Sequence, residues 1–146
     1  MYSGSLFASG MRGRWNSAGN KVLYAAESIS LAFLENMVRR QGVGFNNDFR
    51  IMFILVPDPV SMEVISMDGL NPAWRNPNDY SACLPLGDKW YQDGKSIALK
   101  VPSAVMPEAF NYVINTLHAD YSKVELVEVT NLVPDPRIDD ILKKYH

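Results

Sequence analysis

Apolar and polar residues change their spacing repeatedly along this chain, and each change marks the expected boundary of an element. After the turn-forming run RWNSAGN, the stretch KVLYAA (Lys21–Ala26) reads as a short strand leading into a helix. Ser28 is placed to cap that helix, which is expected from Ile29 to Arg40 with a stop at Gly42, whose freedom at positive φ suits a helix end. Leu31, Leu34 and Val38 fall at i, i+3 and i+7, the spacing of a core-facing stripe. Glu35 takes the i+4 position of the same stripe.

Further on, FRIMFILVP reads as a central strand and VSMEVIS as another. A loop rich in Asn and Pro follows, GLNPAWRNPNDY, where regular structure is not expected. The stretch ACLPLGDKWYQDG predicts a short helix closed by Gly94. Ile97, Leu99 and Val101 alternate as in a half-buried strand, Phe110, Tyr112 and Ile114 repeat the alternation, and KVELVEV adds one more strand. The last helix begins with Asp135 as N-cap and Pro136 at the first helical position; Ile138, Ile141, Leu142 and Tyr145 give it an apolar face. Mostly consecutive strands with scattered helices predict an α+β fold around a mixed or antiparallel sheet.

Length and composition narrow the classes. The 146 residues suit a single domain, 1–146, and no repeat, low-complexity stretch or linker divides them. Hydrophobic residues at 47% and charged residues at 21% describe a folded globular chain. A net charge of -2 argues against direct DNA or RNA binding, which depends on clustered Lys and Arg. The lone Cys83 has no partner for an internal disulfide, and MYSGSLFASG lacks the features of a signal peptide, so the cytoplasm is the expected location. The run IMFILV (Ile51–Val56) is less than half of what a membrane-spanning helix needs. His118 and His146 lack companions at ligand spacing, so no metal site is expected, and GxSxG, SxxK, Walker and GxGxxG motifs are missing. Any enzymatic chemistry then rests on Arg, Glu, Ser, Tyr and Asn.

Glu35 is the first candidate. A carboxylate on a core-facing stripe costs several kcal/mol of desolvation, about 2–7 even for a neutral polar group, unless it has a partner or lines a cavity. Arg14 is the nearest cation to propose as that partner, with Arg12 and Arg137 behind it. A wet stripe edge with Glu35 turned outward satisfies the periodicity equally well.

The strings GRWNSAGNKVLYAAESISLAFLE, LKVPSAVMPEAFNYVIN and VPDPRI, in that order and spread over nearly the whole chain, resemble the RES domain family, named for its arginine, glutamate and serine. The resemblance implies a toxin of a bacterial toxin–antitoxin pair, partnered by a helix-turn-helix antitoxin of the Xre type, with a fold similar to ADP-ribosylating toxins. It implies action on NAD as substrate, by hydrolysis, by phosphorolysis with inorganic phosphate as co-substrate, or by ADP-ribosyl transfer to a protein, and no bound cofactor. A homodimer and an antitoxin over the pocket mouth come by the same analogy.

Residue by residue, the family arginine matches Arg14, the tyrosine Tyr24, the glutamate Glu35 (with Glu27 close by) and the serine Ser103. Asn111 and Asn115 match family positions as pocket-wall residues, and Asn111 joins Arg14, Tyr24 and Ser103 as substrate-binding. Breaking the nicotinamide–ribose bond builds an oxocarbenium-like cation that a fixed carboxylate stabilises, the catalytic role expected of Glu35, with Arg14 as the second expected catalytic residue. A guanidinium suits pyrophosphate, hence Arg14; a ring suits stacking on nicotinamide, hence Tyr24; Ser103 offers a hydroxyl to phosphate or ribose. The plainer alternatives are a surface ion pair for Arg14, a core aromatic for Tyr24 and a strand-end hydroxyl for Ser103. A catalytically idle protein that only binds a partner is the competing class. Trp74 and Trp90 read equally well as exposed anchors for an antitoxin and as core residues. Arg137 is expected to pair with an acidic neighbour or reach the site. The chain departs from the family in its short segment before GRWN, expected to shorten the first sheet edge, in Arg12 where relatives often carry Gly, and in the prolines missing from INTLHAD.

Overall fold

The computed structural model describes residues 6–40, 49–57 and 61–144. The elements run β1 (Val22–Ala26), α1 (Ile29–Arg39), β2 (Arg50–Leu55), β3 (Met62–Val64), α2 (Leu84–Asp93), β4 (Ala98–Pro102), β5 (Phe110–Asn115), β6 (Glu125–Asn131) and α3 (Pro136–Lys144), with short 3₁₀ turns at Met67–Gly69 and Tyr121–Lys123. The expected α+β class with a mixed sheet is what forms: β1-β5-β4-β3 is a four-stranded sheet whose pairs are antiparallel except β3 with β4.

One strand assignment is corrected. FRIMFILVP does not enter the main sheet; among the described residues β2 pairs with β6 alone, in a second, two-stranded sheet. A continuous apolar run is the usual mark of a strand covered on both faces. Here Met52 and Leu55 are exposed, and a register shift between Phe53 and Ile54 turns the strand between two faces. The central places go to β5 and β4 instead. In β4, Ala98, Leu99, Val101 and Pro102 are all buried, so its alternation reflects neighbours on two sides rather than one wet face.

Each face of the main sheet has its own core. Val22, Leu99, Val101 and Val113 pack with Trp15, Trp74, Cys83 and Trp90. On the other side Ala98 and Ile114, with Ile97, meet Leu23, Ile54, Val56, Tyr121 and Val124, so the second sheet leans against that face. Trp74 and Trp90 are therefore core residues, 6% and 2% exposed, not anchors for a partner. Their size explains it: no other side chain covers as much of a small sheet.

Local signals at the helix ends behave as read. Ser28 Oγ accepts from Leu31 N at 3.1 Å, and Gly94 ends α2 at φ 61°. Asp135 Oδ1 accepts from the Arg137 amide at 2.8 Å, and its other oxygen lies 2.8 Å from Arg137 Nη2, the acidic neighbour expected for that arginine. Gly42 and Tyr145 lie outside the described residues, as does the side chain of Leu142. The α1 stripe is only partly inward: Leu31 is buried, Val38 is 51% exposed, and Glu35 lies between these extremes.

α2 is locked to the segment before β1. Asp88 accepts from Ser17 N at 2.9 Å, from Asn20 Nδ2 at 3.0 Å and from Ser17 Oγ. Its neighbour Gly87 meets the backbone of Trp15.

Candidate active site

Strand register brings the candidate residues together. Tyr24 sits opposite Val113, which sits opposite Leu99; two residues along, Ala26 faces Asn111, which faces Val101. Side chains alternate along a strand, so Tyr24 and Asn111 project from one face, the face carrying the tryptophan core. Ser103 follows Val101 by two residues and keeps the ladder, its amide donating to Ala109 O at 2.9 Å, so it belongs to the same face.

Glu35 reaches this group from α1. Its Oε1 accepts from Ser103 Oγ at 2.6 Å and from Asn111 Nδ2 at 2.7 Å. Ser103 is fully buried, and its Oγ also accepts from the amides of Val105 and Met106, each at 3.1 Å. The hydroxyl proton thus has one direction to point, towards the carboxylate. Hydrogen bonds to a charged acceptor contribute about 1.5–3 kcal/mol each, enough to hold a half-buried carboxylate in place without a cation. Glu27, by contrast, is exposed and touches the sheet through its amide, which donates to Phe110 O.

The ion pair expected between Glu35 and Arg14 does not form. Among the described residues no cation lies within salt-bridge distance of Glu35. Arg14 Nη1 instead donates to Trp74 O at 2.6 Å and Asn76 O at 3.2 Å, and its guanidinium lies 4.6 Å from the centre of the Tyr80 ring. Arg12 approaches the same ring at 5.0 Å. Two neutral donors are enough for Glu35, which leaves Arg14 for the loop between the 3₁₀ turn and α2.

Tyr24 joins the two halves. Its hydroxyl donates to Asn16 Oδ1 at 2.5 Å and accepts from Trp15 N at 3.1 Å. Asn16 is buried, and its Nδ2 donates to Met11 O at 2.8 Å and Asn20 O at 3.2 Å. A Cβ on Gly13 would lie 2.7 Å from both Asn16 Oδ1 and the Tyr24 hydroxyl, which accounts for glycine at the head of GRWN. Tyr24 is 44% exposed, while its hydroxyl is held by two hydrogen bonds. These two contacts fix the position of the hydroxyl. Asn16, absent from the residues singled out in the sequence, is the anchor; its turn-forming neighbours gave the only hint.

Burial of the hydroxyl pushes the Tyr24 phenol well above its ordinary value of 10.0, against the lowering effect of the Trp15 amide. The folded protein therefore holds this proton more tightly than the unfolded chain. Its contribution to stability is complete below pH 10 and declines as the pH rises beyond it. Tyr24→Phe is expected to lower stability by about 1–2 kcal/mol at pH 7, by stranding Asn16 Oδ1 and the Trp15 amide, and to flatten the alkaline loss. Urea melts from pH 8 to pH 11 check both; an unchanged alkaline slope in the variant counts against the enclosed hydroxyl.

Asn115, the other pocket-wall candidate, plays a structural part, since its Oδ1 accepts from Leu117 N at 2.9 Å. Among the described residues, no group of three or more His, Cys, Asp or Glu side chains is placed to hold a metal ion, and no helix is long and apolar enough to cross a membrane.

The same motifs place the chain among known proteins. Residues 2–138 match the RES domain family model. The chain belongs to the RES domain family. It is 34% identical over 128 residues to the Prs ADP-ribosylating toxin of Sphingobium sp. strain YBL2, covering 86% of this chain and 80% of that protein. It is 33% identical over 128 residues to Toxin Res of Pseudomonas putida, covering 86% and 85%. Toxin Res of Photorhabdus laumondii is 32% identical over 111 residues, 76% of this chain and 70% of that one. A chain in the crystal structure of the M. tuberculosis MbcT–MbcA toxin–antitoxin complex superposes with a TM-score of 0.68 at 18% identity, over 90% of this chain and 76% of that chain. This RES member thus shares its fold with a component of a toxin–antitoxin complex.

Proposed function

We propose that this RES protein is the toxin of a bacterial toxin–antitoxin pair and that it cleaves the nicotinamide–ribose bond of NAD. The observation that carries the reading is the Glu35 carboxylate, held through Oε1 by Ser103 and Asn111 on the sheet face that also carries Tyr24, with Oε2 carrying no hydrogen bond among the described residues. One oxygen is fixed and the other is left to face a substrate. Such a group, organised before reaction, stabilises positive charge at the ribose C1′ as the C1′–N bond breaks and its electron pair leaves with nicotinamide. In this reading Tyr24 stacks on the nicotinamide, and Arg14, next in the chain to the Trp15 amide that holds the Tyr24 hydroxyl, serves the pyrophosphate. Water or inorganic phosphate then bonds to C1′, giving ADP-ribose or its 1-phosphate.

Transfer of ADP-ribose to a protein is the second reading, favoured by the name of the Sphingobium relative. All three outcomes share the first bond cleavage. The antitoxin, of the Xre type by family likeness, covers the pocket in the cytoplasm; a structural neighbour drawn from a toxin–antitoxin complex supports the partnership.

Purified protein incubated with NAD is expected to release nicotinamide. A rate that rises with inorganic phosphate marks phosphorolysis, an indifferent rate marks hydrolysis, and label from NAD retained on a polypeptide marks transfer. No nicotinamide under any of these conditions sinks the reading.

A further inference from the structure

The loop from Asn71 to Tyr80 has no helix or strand, yet it is fastened at many points. Asn71, Asn76 and Asp79 each accept from an amide two residues on, at 2.8–2.9 Å. Trp74 is buried in the core. Arg14 Nη1 donates to the carbonyls of Trp74 and Asn76, the residues on either side of Arg75. Arg75 itself is exposed, and its Nε donates to Ala104 O at 2.9 Å. Ala104 follows Ser103, the residue that donates to Glu35. The Arg75 guanidinium is thus fixed by its Nε one peptide unit from the Glu35–Ser103 contact. Its two terminal nitrogens make no hydrogen bond or ion pair among the described residues.

A surface arginine usually spreads over many rotamers. Here the backbone is pinned from both sides and the head is pinned at one nitrogen, so the terminal N–H groups are presented in a settled direction at low entropic cost. A guanidinium in that state fits a phosphoryl group, to which it donates in a two-pronged contact. Arg14, meanwhile, spends one of its terminal nitrogens on the loop.

We infer that Arg75 is a second anion-binding arginine of the site, taking phosphoryl oxygens beside Glu35, and that Arg14 positions it through the carbonyls of Trp74 and Asn76. This rests on the NAD reading above. The phosphoryl group has two sources, the pyrophosphate of the dinucleotide or inorganic phosphate arriving as nucleophile.

The test titrates wild type, Arg75→Ala and Arg75→Lys with ADP-ribose and with adenosine by calorimetry, and measures nicotinamide release against phosphate concentration. If Arg75 holds the pyrophosphate, Arg75→Ala weakens ADP-ribose about 10- to 100-fold and leaves adenosine unchanged, with Arg75→Lys between. If it receives free phosphate, ADP-ribose affinity stays and the KM for phosphate rises by a similar factor. Equal weakening of ADP-ribose and adenosine, or no change in any of the three measurements, overturns the inference and assigns Arg75 to the loop alone. Wild type that releases nicotinamide while Arg75→Ala matches it in every measurement separates this failure from that of the NAD reading. If wild type neither releases nicotinamide nor binds ADP-ribose, the NAD reading fails and this inference with it.

Discussion

Glu35→Gln is expected to lower nicotinamide release by at least about 100- to 1,000-fold while leaving the fold intact. The substitution keeps shape and hydrogen-bonding capacity. The amide oxygen can still accept from Ser103 Oγ and Asn111 Nδ2, so the polar cluster on the sheet face stays satisfied. Only the negative charge is lost, and in the proposed reaction that charge stabilises the cation forming at C1′. The Tm should move by a few degrees at most, and the KM for NAD should change far less than kcat, because the proposed role has the carboxylate interacting more strongly with the transition state than with the bound substrate. A variant with activity within a few-fold of wild type removes Glu35 from the chemistry. Glu35→Ala is a harsher change, since Ser103, fully buried, loses the acceptor for its proton.

Gly87→Ala should produce the largest loss of stability. A Cβ at this position would stand 1.8 Å from the Trp15 carbonyl oxygen and 2.6 Å from its carbonyl carbon. Both are backbone atoms, so no side-chain rotation relieves the overlap; either α2 moves away from the segment before β1 or Trp15 shifts. The cost is about 3 kcal/mol or more, a fall in Tm of about 6–12 °C for a chain of this size. The effect reaches the site as well. Asp88, next in the helix, holds Ser17 and Asn20, while the Trp15 amide holds the Tyr24 hydroxyl. The folded fraction of the variant should therefore show weaker substrate binding as well as lower stability. A thermal melt within 2 °C of wild type, a margin of about 1 kcal/mol or less, would contradict the close approach of α2 to Trp15.

These two expectations come from different kinds of information. Glu35 was legible as a candidate because a charged residue on an apolar stripe needs a reason, and because its neighbours form a family motif. Gly87 carried no signal at all: a glycine three residues into a helix is unremarkable until another backbone is found against it. The same holds for Asp88 and Arg75, polar residues in polar surroundings whose partners lie 71 and 29 positions away.

Local elements and their ends were written in the residue order. Ser28, Gly94 and the Asp135–Pro136 pair mark helix termini through hydrogen bonds and dihedral preferences that act within a few residues. The family was legible there too, since the motifs keep their order along the chain. Folding in three dimensions settled the rest: which strands share a sheet, which tryptophans are core, and what the charged residues hold. The apolar run of β2 could not disclose that it pairs with β6 outside the main sheet. Nor could spacing show that Glu35 is fixed by two neutral donors, 68 and 76 residues away, while Arg14 serves a loop 60 residues on. Periodicity records which way a side chain faces along its own element; hydrogen-bond partners are set by strand register and by loops returning across the sheet, and those contacts leave no periodic trace.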